Sequence, residues 1–190
     1  MNIGLFFGSF NPIHVGHLII AKHLEYTGNF DQIWLVVSPH NPLKKSSGLL
    51  NEYHRLHLVN LALEGEKKIK ASKIEFGLPK PSFTIDTLTH LQEKYPTHRF
   101  SVIMGADSLH NLDKWKNPEQ IRKNYSLYVY SRRGFNPELK PEDRNIHFVD
   151  APLIEISSTH IRKLIKEGKS IRYWVPDAVR EEIEHQNYYR

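Results

Sequence analysis

The chain has 190 residues and no cysteine, with 39% hydrophobic and 25% charged residues. This composition is typical of one soluble globular domain, and it excludes a disulfide scaffold, a disordered chain and a bundle of membrane helices. The formal net charge of +5 favours an anionic partner. Because the basic residues are scattered rather than gathered in an arm or stripe, a phosphorylated small molecule is favoured over nucleic acid.

Short β-rich runs alternate with helical patterns along the chain, which predicts a parallel sheet flanked by helices. The predicted strands are Asn2 to Phe7, Gln32 to Ser38, Lys70 to Phe76, Arg99 to Met104, Tyr125 to Ser131 and Ile146 to Val149. The predicted helices are Val15 to Thr27, Glu52 to Glu64, Ile85 to Tyr95, Asn117 to about Lys123, Ser158 to Gly168, and a last one that opens at Pro176. We therefore expect an α/β fold with a Rossmann-like, doubly wound parallel sheet of five to six strands and helices on both faces.

Residues 1–190 are expected to form one domain, in which residues 157–190 make a C-terminal helical part. The N-terminus opens in a strand rather than in a charged and apolar leader, so we expect a cytoplasmic protein that binds neither membrane nor nucleic acid. In such a sheet, ligands bind beyond the carboxyl ends of the strands. The loops that follow the strands should therefore converge on the functional site.

The loop after the first strand carries the first of two motifs, GSFNPIHVGH over residues 8–17. Gly8 and Gly16 allow a close backbone approach, and free N–H groups at the following helix start favour an anion. His14 and His17 lie three positions apart, so both imidazoles would face one bound group. Two surface histidines are the alternative, since the chain holds 12. A zinc site is less favoured, because no cysteine or nearby carboxylate completes it.

The second motif, ISSTHIR over residues 156–162, places hydroxyls at a predicted helix start with Arg162 one turn later. Helix N–H groups and a guanidinium together suit a polyphosphate, which needs several donors at once. Either Ser157 or Ser158 is alternatively a simple N-cap. Two anion sites in one domain indicate a triphosphate ligand.

Together the two motifs resemble the G-x-F-x-P-x-H-x-G-H and I-S-S-T-x-I-R signatures of the nucleotidyltransferase superfamily. Two middle segments are similar to its nicotinate-nucleotide adenylyltransferase branch: SFTIDTL over residues 82–88, and GADS over residues 105–108 followed by Trp115. The resemblance spans nearly the whole chain. It implies transfer of AMP from ATP to nicotinic acid mononucleotide, giving deamido-NAD and pyrophosphate, with Mg²⁺ accompanying ATP.

The resemblance also implies a role for each motif. His14, His17 and Arg162 would be the catalytic residues, which hold the phosphates and stabilise charge. The remaining ATP contacts would come from Gly8, Ser9, Phe10, Gly16, Gly105, Asp107, Ser157 and Ser158. No protein ligand to the metal is expected.

The acceptor would be held by the middle of the chain. Trp115 would stack on the pyridine ring, and N–H groups near Thr84 and Trp115 would receive the carboxylate. Trp115 is alternatively a core residue, although it lies among charged residues. Asp107 is expected to bind ribose hydroxyls or order waters around magnesium, with a helix N-cap as its alternative.

Two segments depart from the family pattern. The family often has P-P-H-[KR] after the second strand, whereas residues 41–45 read NPLKK, so that histidine is missing and Lys44 is expected to keep the phosphate contact. Phe83 replaces the usual tyrosine. The RRG stretch over residues 132–134 resembles a family R-P-G turn, and Arg132 is expected to contribute phosphate attraction to substrate binding.

Other functions stay open at this point. The nearest alternative is another small nucleotidyltransferase, such as pantetheine-phosphate adenylyltransferase or a cytidylyltransferase. A nucleotide- or RNA-binding module is a more distant one, because class I aminoacyl-tRNA synthetases share the HxGH loop. The choice between nicotinate and nicotinamide, and the formation of a homo-oligomer, are left undecided by the sequence.

Overall fold

The computed structural model describes residues 1–40, 48–135 and 143–190. These parts of the chain contain six strands, namely Asn2–Gly8 (β1), Gln32–Val37 (β2), Ile69–Ser72 (β3), Arg99–Gly105 (β4), Ser126–Tyr130 (β5) and Ile146–Val149 (β6). They form one sheet in the order β3-β2-β1-β4-β5-β6, and every neighbouring pair is parallel. The chain winds from β1 to one edge and then returns to β4, so the direction of winding reverses between β1 and β4. This confirms the predicted doubly wound sheet.

Seven α-helices connect the strands in the described residues: Val15–Thr27 (α1), Glu52–Ala62 (α2), Thr84–Lys94 (α3), Ala106–His110 (α4), Pro118–Asn124 (α5), Ser158–Lys166 (α6) and Asp177–His185 (α7). Alternate strand residues enter two separate apolar cores, as the pleat requires. In β2, Leu35 enters one core and Val36 the other. Helices α1, α2, α6 and α7 supply apolar side chains to the first core, and α3, α4 and α5 to the second. Helices therefore cover both faces, as predicted.

Two local predictions were wrong. The run from Lys70 to Phe76 was predicted as one strand, but pairing with β2 ends at Ser72 and a 3₁₀ helix follows over Ile74–Gly77. The alternation of Ile74 and Phe76 with polar residues imitates a strand, whereas the side chain between them, Glu75, is buried. The loop predicted after β4 instead forms α4 at once, with Gly105 as its N-cap. Asp107 is therefore a first-turn residue rather than the N-cap.

The last two helices share the apolar core of the sheet. Ile161 of α6 and both Val179 and Ile183 of α7 are buried in the same cluster as Phe6 of β1. Within the described ranges, no helix is both long and apolar enough to cross a membrane. The carboxyl ends of β1 and β4 lie side by side at the point where the winding reverses, which is where this kind of sheet binds ligands.

Candidate active site

The loop after β1 is shaped by one inward-facing ring. Phe10 has a positive φ of 43° and is only 2% exposed. Its ring occupies the space above Gly8, where an added Cβ would lie 2.7 Å from it. The same ring packs edge-on against His17, with 5.0 Å between ring centroids. Phe10 is a predicted ATP contact whose side chain also supports the loop, and glycine at position 8 is required by this packing.

The two motif histidines occupy the start of α1, as the spacing predicted. His14 is the N-cap residue, and its imidazole stacks on that of His17 with 3.6 Å between ring centroids. The backbone N–H of His14 donates to Nδ1 of His17 at 3.3 Å. A neutral His17 therefore carries its proton on Nε2.

His14 is buried, and its electrostatic state differs from that of an exposed histidine. Only 3% of the residue is exposed, and its Nδ1 has no hydrogen-bond partner among the described residues. Burial, together with the positive charge of Arg132, lowers the pKa of His14 to about 4. His14 is therefore neutral near pH 7.

The second motif is tied directly to the first. Ser158 donates from Oγ to the carbonyl of Pro12 at 2.8 Å, and Nη1 of Arg162 donates to the carbonyl of Asn11 at 2.8 Å. Ser157 is the N-cap of α6, and its Oγ accepts from the N–H of His160 at 3.2 Å. Thus the N-cap alternative is correct for Ser157, while Ser158 and Arg162 connect the two ends of the chain.

These elements enclose a cavity of about 320 Å³, which we call the cationic cavity. Its walls include the side chains of His14, His17, His40, Asp107, Arg132, Ser157, Ser158, Thr159 and Arg162. Two guanidinium groups, three imidazoles and the first turn of α6 surround it, and Asp107 is its one carboxylate among the described residues. This balance of charge suits a polyphosphate.

Arg132 lies at the centre of the charge distribution in this cavity. Its Nε is 3.9 Å from Oδ1 of Asp107, and its guanidinium lies over the ring of Tyr130 at 5.3 Å. Nη1 donates to the carbonyl of Ile154 at 3.4 Å. Arg132 was predicted to contribute phosphate attraction to substrate binding, and it lines the cationic cavity.

A second cavity of about 500 Å³ adjoins the first, and we call it the acceptor cavity. The two share Phe6, Phe7, Gly8, Ser9, Asp107, Ser108 and Tyr130 as lining residues. The acceptor cavity adds Thr84 at the start of α3 and the half-buried Trp115. Gly105, which was predicted to contact ATP, lines this cavity, and Gly16 lines neither of the two. An aromatic ring and a helix start therefore line one space, which adjoins the cationic cavity.

A buried arginine holds the loops around both cavities. Arg55 on α2 is fully buried, and its guanidinium donates to the carbonyls of Ser9 at 2.5 Å, Ser38 at 2.8 Å, Pro39 at 3.1 Å and Leu50 at 2.7 Å. Among the described residues, no carboxylate forms an ion pair with it. Burial lowers the pKa of Arg55. One side chain therefore fixes the segments that follow β1 and β2.

Comparison with known proteins agrees with this arrangement. Residues 5–164 match the family model described as Cytidylyltransferase-like. A protein of Flavobacterium johnsoniae is 56% identical, and the match covers 100% of both chains. A protein of Cytophaga hutchinsonii is 52% identical, and the match covers 100% of this chain and 98% of the relative. A protein of Bacteroides fragilis is 43% identical, and the match covers 96% of this chain and 91% of the relative. All three are named probable nicotinate-nucleotide adenylyltransferase.

The chain belongs to the nicotinate-nucleotide adenylyltransferase family. Solved structures agree at the level of the fold. The Plasmodium falciparum nicotinic acid mononucleotide adenylyltransferase complexed with NaAD has a TM-score of 0.84 at 20% identity, covering 99% of this chain and 97% of its own. The same protein complexed with APC has a TM-score of 0.80 at 20% identity, covering 99% and 96%.

Sequence reasoning missed three residues of this family member's site. Arg55 and Glu75 were not identified, and His40 was given no role although it lines the cationic cavity. Arg55 did leave a signal, because it lies on the apolar face of α2 with Leu58 and Val59. The predicted phosphate contact Lys44 falls outside the described residues.

Proposed function

We propose that this chain transfers AMP from ATP to nicotinic acid mononucleotide, releasing deamido-NAD and pyrophosphate. The observation that carries the proposal is the junction of the two cavities: a cationic one formed by both end motifs, and an acceptor one with Trp115 and the start of α3. A triphosphate in the first places its α-phosphorus toward the second. Membership of the nicotinate-nucleotide adenylyltransferase family supports the assignment.

The reaction needs no nucleophile from the protein. An oxygen of the acceptor's 5′-phosphate forms a bond to the α-phosphorus of ATP, while the bond from that phosphorus to the α,β-bridging oxygen breaks and its electron pair leaves with pyrophosphate. Catalysis therefore consists of positioning and charge stabilisation. The cavities provide both within one connected space.

Each motif has a task in this scheme. His17 donates from Nε2 to the transferring phosphoryl group, because its Nδ1 is occupied by the N–H of His14. Arg162 and the first turn of α6 hold the β- and γ-phosphates and then the leaving pyrophosphate. The neutral imidazole of His14 contacts the phosphates of ATP without adding a positive charge.

Magnesium would enter with ATP and neutralise phosphate charge. In the described part of the chain, no group of three or more His, Asp or Glu residues is arranged to hold a metal ion. Asp107 has a side chain 46% exposed at the cationic cavity, which fits contact with water molecules around the ion. Magnesium keeps several waters and is held largely by substrate phosphates, and this residue set suits that mode of binding.

The proposal is tested by measuring pyrophosphate release from ATP and magnesium with three acceptors: nicotinic acid mononucleotide, nicotinamide mononucleotide and phosphopantetheine. We expect release with the nicotinic acid substrate. His17→Ala should lower the rate by about 10²–10³, as removal of a transition-state donor usually does. The matched control is His23→Ala, on the same helix but outside both cavity walls, and it should retain activity. Release with phosphopantetheine alone, or an unaffected His17→Ala variant, would contradict the proposal.

The remaining predictions concern the setting of the reaction. We propose that it takes place in the cytoplasm with small-molecule nucleotide substrates and without a nucleic acid or membrane partner. A homo-oligomer is compatible with the sequence, which leaves the oligomeric state undecided.

A further inference from the structure

The acceptor cavity has a carboxyl group in its wall that the proposed reaction does not use. Glu75, in the 3₁₀ helix after β3, is 1% exposed and lines this cavity. Its Oε1 accepts a hydrogen bond from Oγ1 of Thr87 on α3 at 2.8 Å. Its Oε2 is buried and has no hydrogen-bond partner among the described residues. A buried carboxyl with one unpaired oxygen needs a physical explanation.

The neighbours of Glu75 are hydroxyl groups rather than charges. Ser38 after β2, and both Ser82 and Thr87 at the start of α3, lie against the carboxyl and moderate the effect of burial. The Ser82 hydroxyl is itself buried without a partner among the described residues. The charged residues of this cavity are Asp107, Lys114 and Lys116, and none forms an ion pair with Glu75 in the described residues.

These surroundings favour the uncharged form of the carboxyl. Burial raises the pKa of Glu75, because an ionised group without a cationic partner is poorly stabilised away from water. A carboxylic acid can both accept from Thr87 and donate from its other oxygen. An ionised Glu75 would repel an anionic acceptor beside it and would favour a carboxamide, whose NH₂ group donates.

Glu75 also supports the segment that faces the acceptor. Thr87 lies one turn into α3, and residues 82–84 form the entry to that helix. The hydrogen bond between Thr87 and Glu75 therefore joins the 3₁₀ helix that follows β3 to the N-terminal part of α3. Free N–H groups at this turn suit an anion, provided that no negative charge lies directly behind them.

We propose that Glu75 is a positioning residue that, in its uncharged form, sets the preference for an acceptor ring bearing a carboxylate over one bearing a carboxamide. It acts through Thr87 and the segment 82–84 rather than by contact with the reacting atoms. This inference rests on the proposed function and specifies its acceptor class.

The test compares kcat/KM for nicotinic acid mononucleotide and nicotinamide mononucleotide in the full chain, at fixed saturating ATP and magnesium. Glu75→Gln keeps an uncharged group that both accepts and donates, so it should retain the wild-type ratio of the two values. Glu75→Ala should lower that ratio about tenfold or more, because the supporting group is lost. KM for ATP should stay within about threefold of the wild-type value in both variants, since the cationic cavity is unchanged.

Two threonine variants on α3 keep the test decisive if Glu75→Ala does not fold. Thr87→Val removes the hydrogen bond to Glu75 and should lower the ratio in the same direction. Thr89→Val removes an exposed hydroxyl that bonds only to the carbonyl of Ile85 among the described residues, at 3.0 Å, and should leave the ratio unchanged.

The outcomes separate the two proposals. A wild-type chain that transfers AMP to neither mononucleotide overturns the proposed function, whatever Glu75 does. If the wild type is active and both Glu75→Ala and Thr87→Val keep the wild-type ratio of the two kcat/KM values, the proposed role of Glu75 is overturned. A ratio of kcat/KM values that falls in Glu75→Gln as far as in Glu75→Ala would show that the charged carboxylate is required, and this result also overturns the proposal.

Discussion

Replacing Arg55 by methionine should lower the free energy of unfolding by about 3–4 kcal/mol. The substitution removes the donor from four backbone carbonyls, those of Ser9, Ser38, Pro39 and Leu50. A buried acceptor left unpaired costs about 1–3 kcal/mol. The carbonyls of Ser38 and Pro39 are buried and those of Ser9 and Leu50 are partly buried, so roughly 4–12 kcal/mol is the upper range for the four. Removing a buried charge offsets several kcal/mol of this, because the guanidinium no longer has to be desolvated.

The assay is urea unfolding of the wild type, Arg55→Met, Arg55→Lys and a control, Arg172→Met. Lysine keeps the charge but presents it at one point, so it should restore only part of the lost stability. Arg172 is exposed and its guanidinium lies over the exposed ring of Tyr173, so its replacement should change the unfolding free energy by about 0.5 kcal/mol or less. An unfolding free energy of Arg55→Met within about 1 kcal/mol of the wild-type value, which is the size of the extrapolation error in this assay, would refute the reasoning.

Three further predictions concern single side chains. The pKa of His14 falls from 6.5 to about 4 on folding, so between these pH values the unfolded chain binds more protons than the folded chain. Lowering the pH from 7 to 4 should therefore reduce the unfolding free energy of the wild type by about 3 kcal/mol more than that of His14→Asn. Urea unfolding of both proteins at the two pH values measures this difference. Arg122→Met breaks the buried ion pair between Arg122 and Asp143 and should cost about 3 kcal/mol in the same assay, whereas Lys163→Met, on the exposed surface, should change the unfolding free energy little. Trp115→Ala should raise KM for the acceptor about tenfold, since ring stacking contributes about 1–3 kcal/mol; an equal rise in KM for ATP would contradict its place in the acceptor cavity.

The sheet was predictable because its signals are local. Each strand is a short run of β-rich residues, and each long helix is closed by a glycine, proline or capping residue within the same stretch of sequence. Helix α4 was missed because it follows Gly105, the last residue of β4, without a loop, and it has only five residues. The end of β3 was missed because an alternating pattern does not reveal where pairing with a neighbouring strand stops.

The site was predictable only in part. His14, His17 and Arg162 stand in motifs that can be recognised in sequence, and the structure brings them to one cavity through a hydrogen bond between residues 151 positions apart. Arg55 and Glu75 have no such motif. Their roles depend on the carbonyls and hydroxyls they meet, such as Ser9 at 46 positions from Arg55, and only the folded chain brings these groups together.

The central claim is that the AMP portion of ATP is transferred, and label tracing tests it most directly. ATP carrying radioactive phosphorus at the α- or the γ-position is incubated with the wild-type chain, magnesium and nicotinic acid mononucleotide, and the products are separated. The account predicts that the α-label appears in the dinucleotide and the γ-label in pyrophosphate. A γ-label on the nucleotide acceptor, or an α-label recovered only as free AMP, would contradict it.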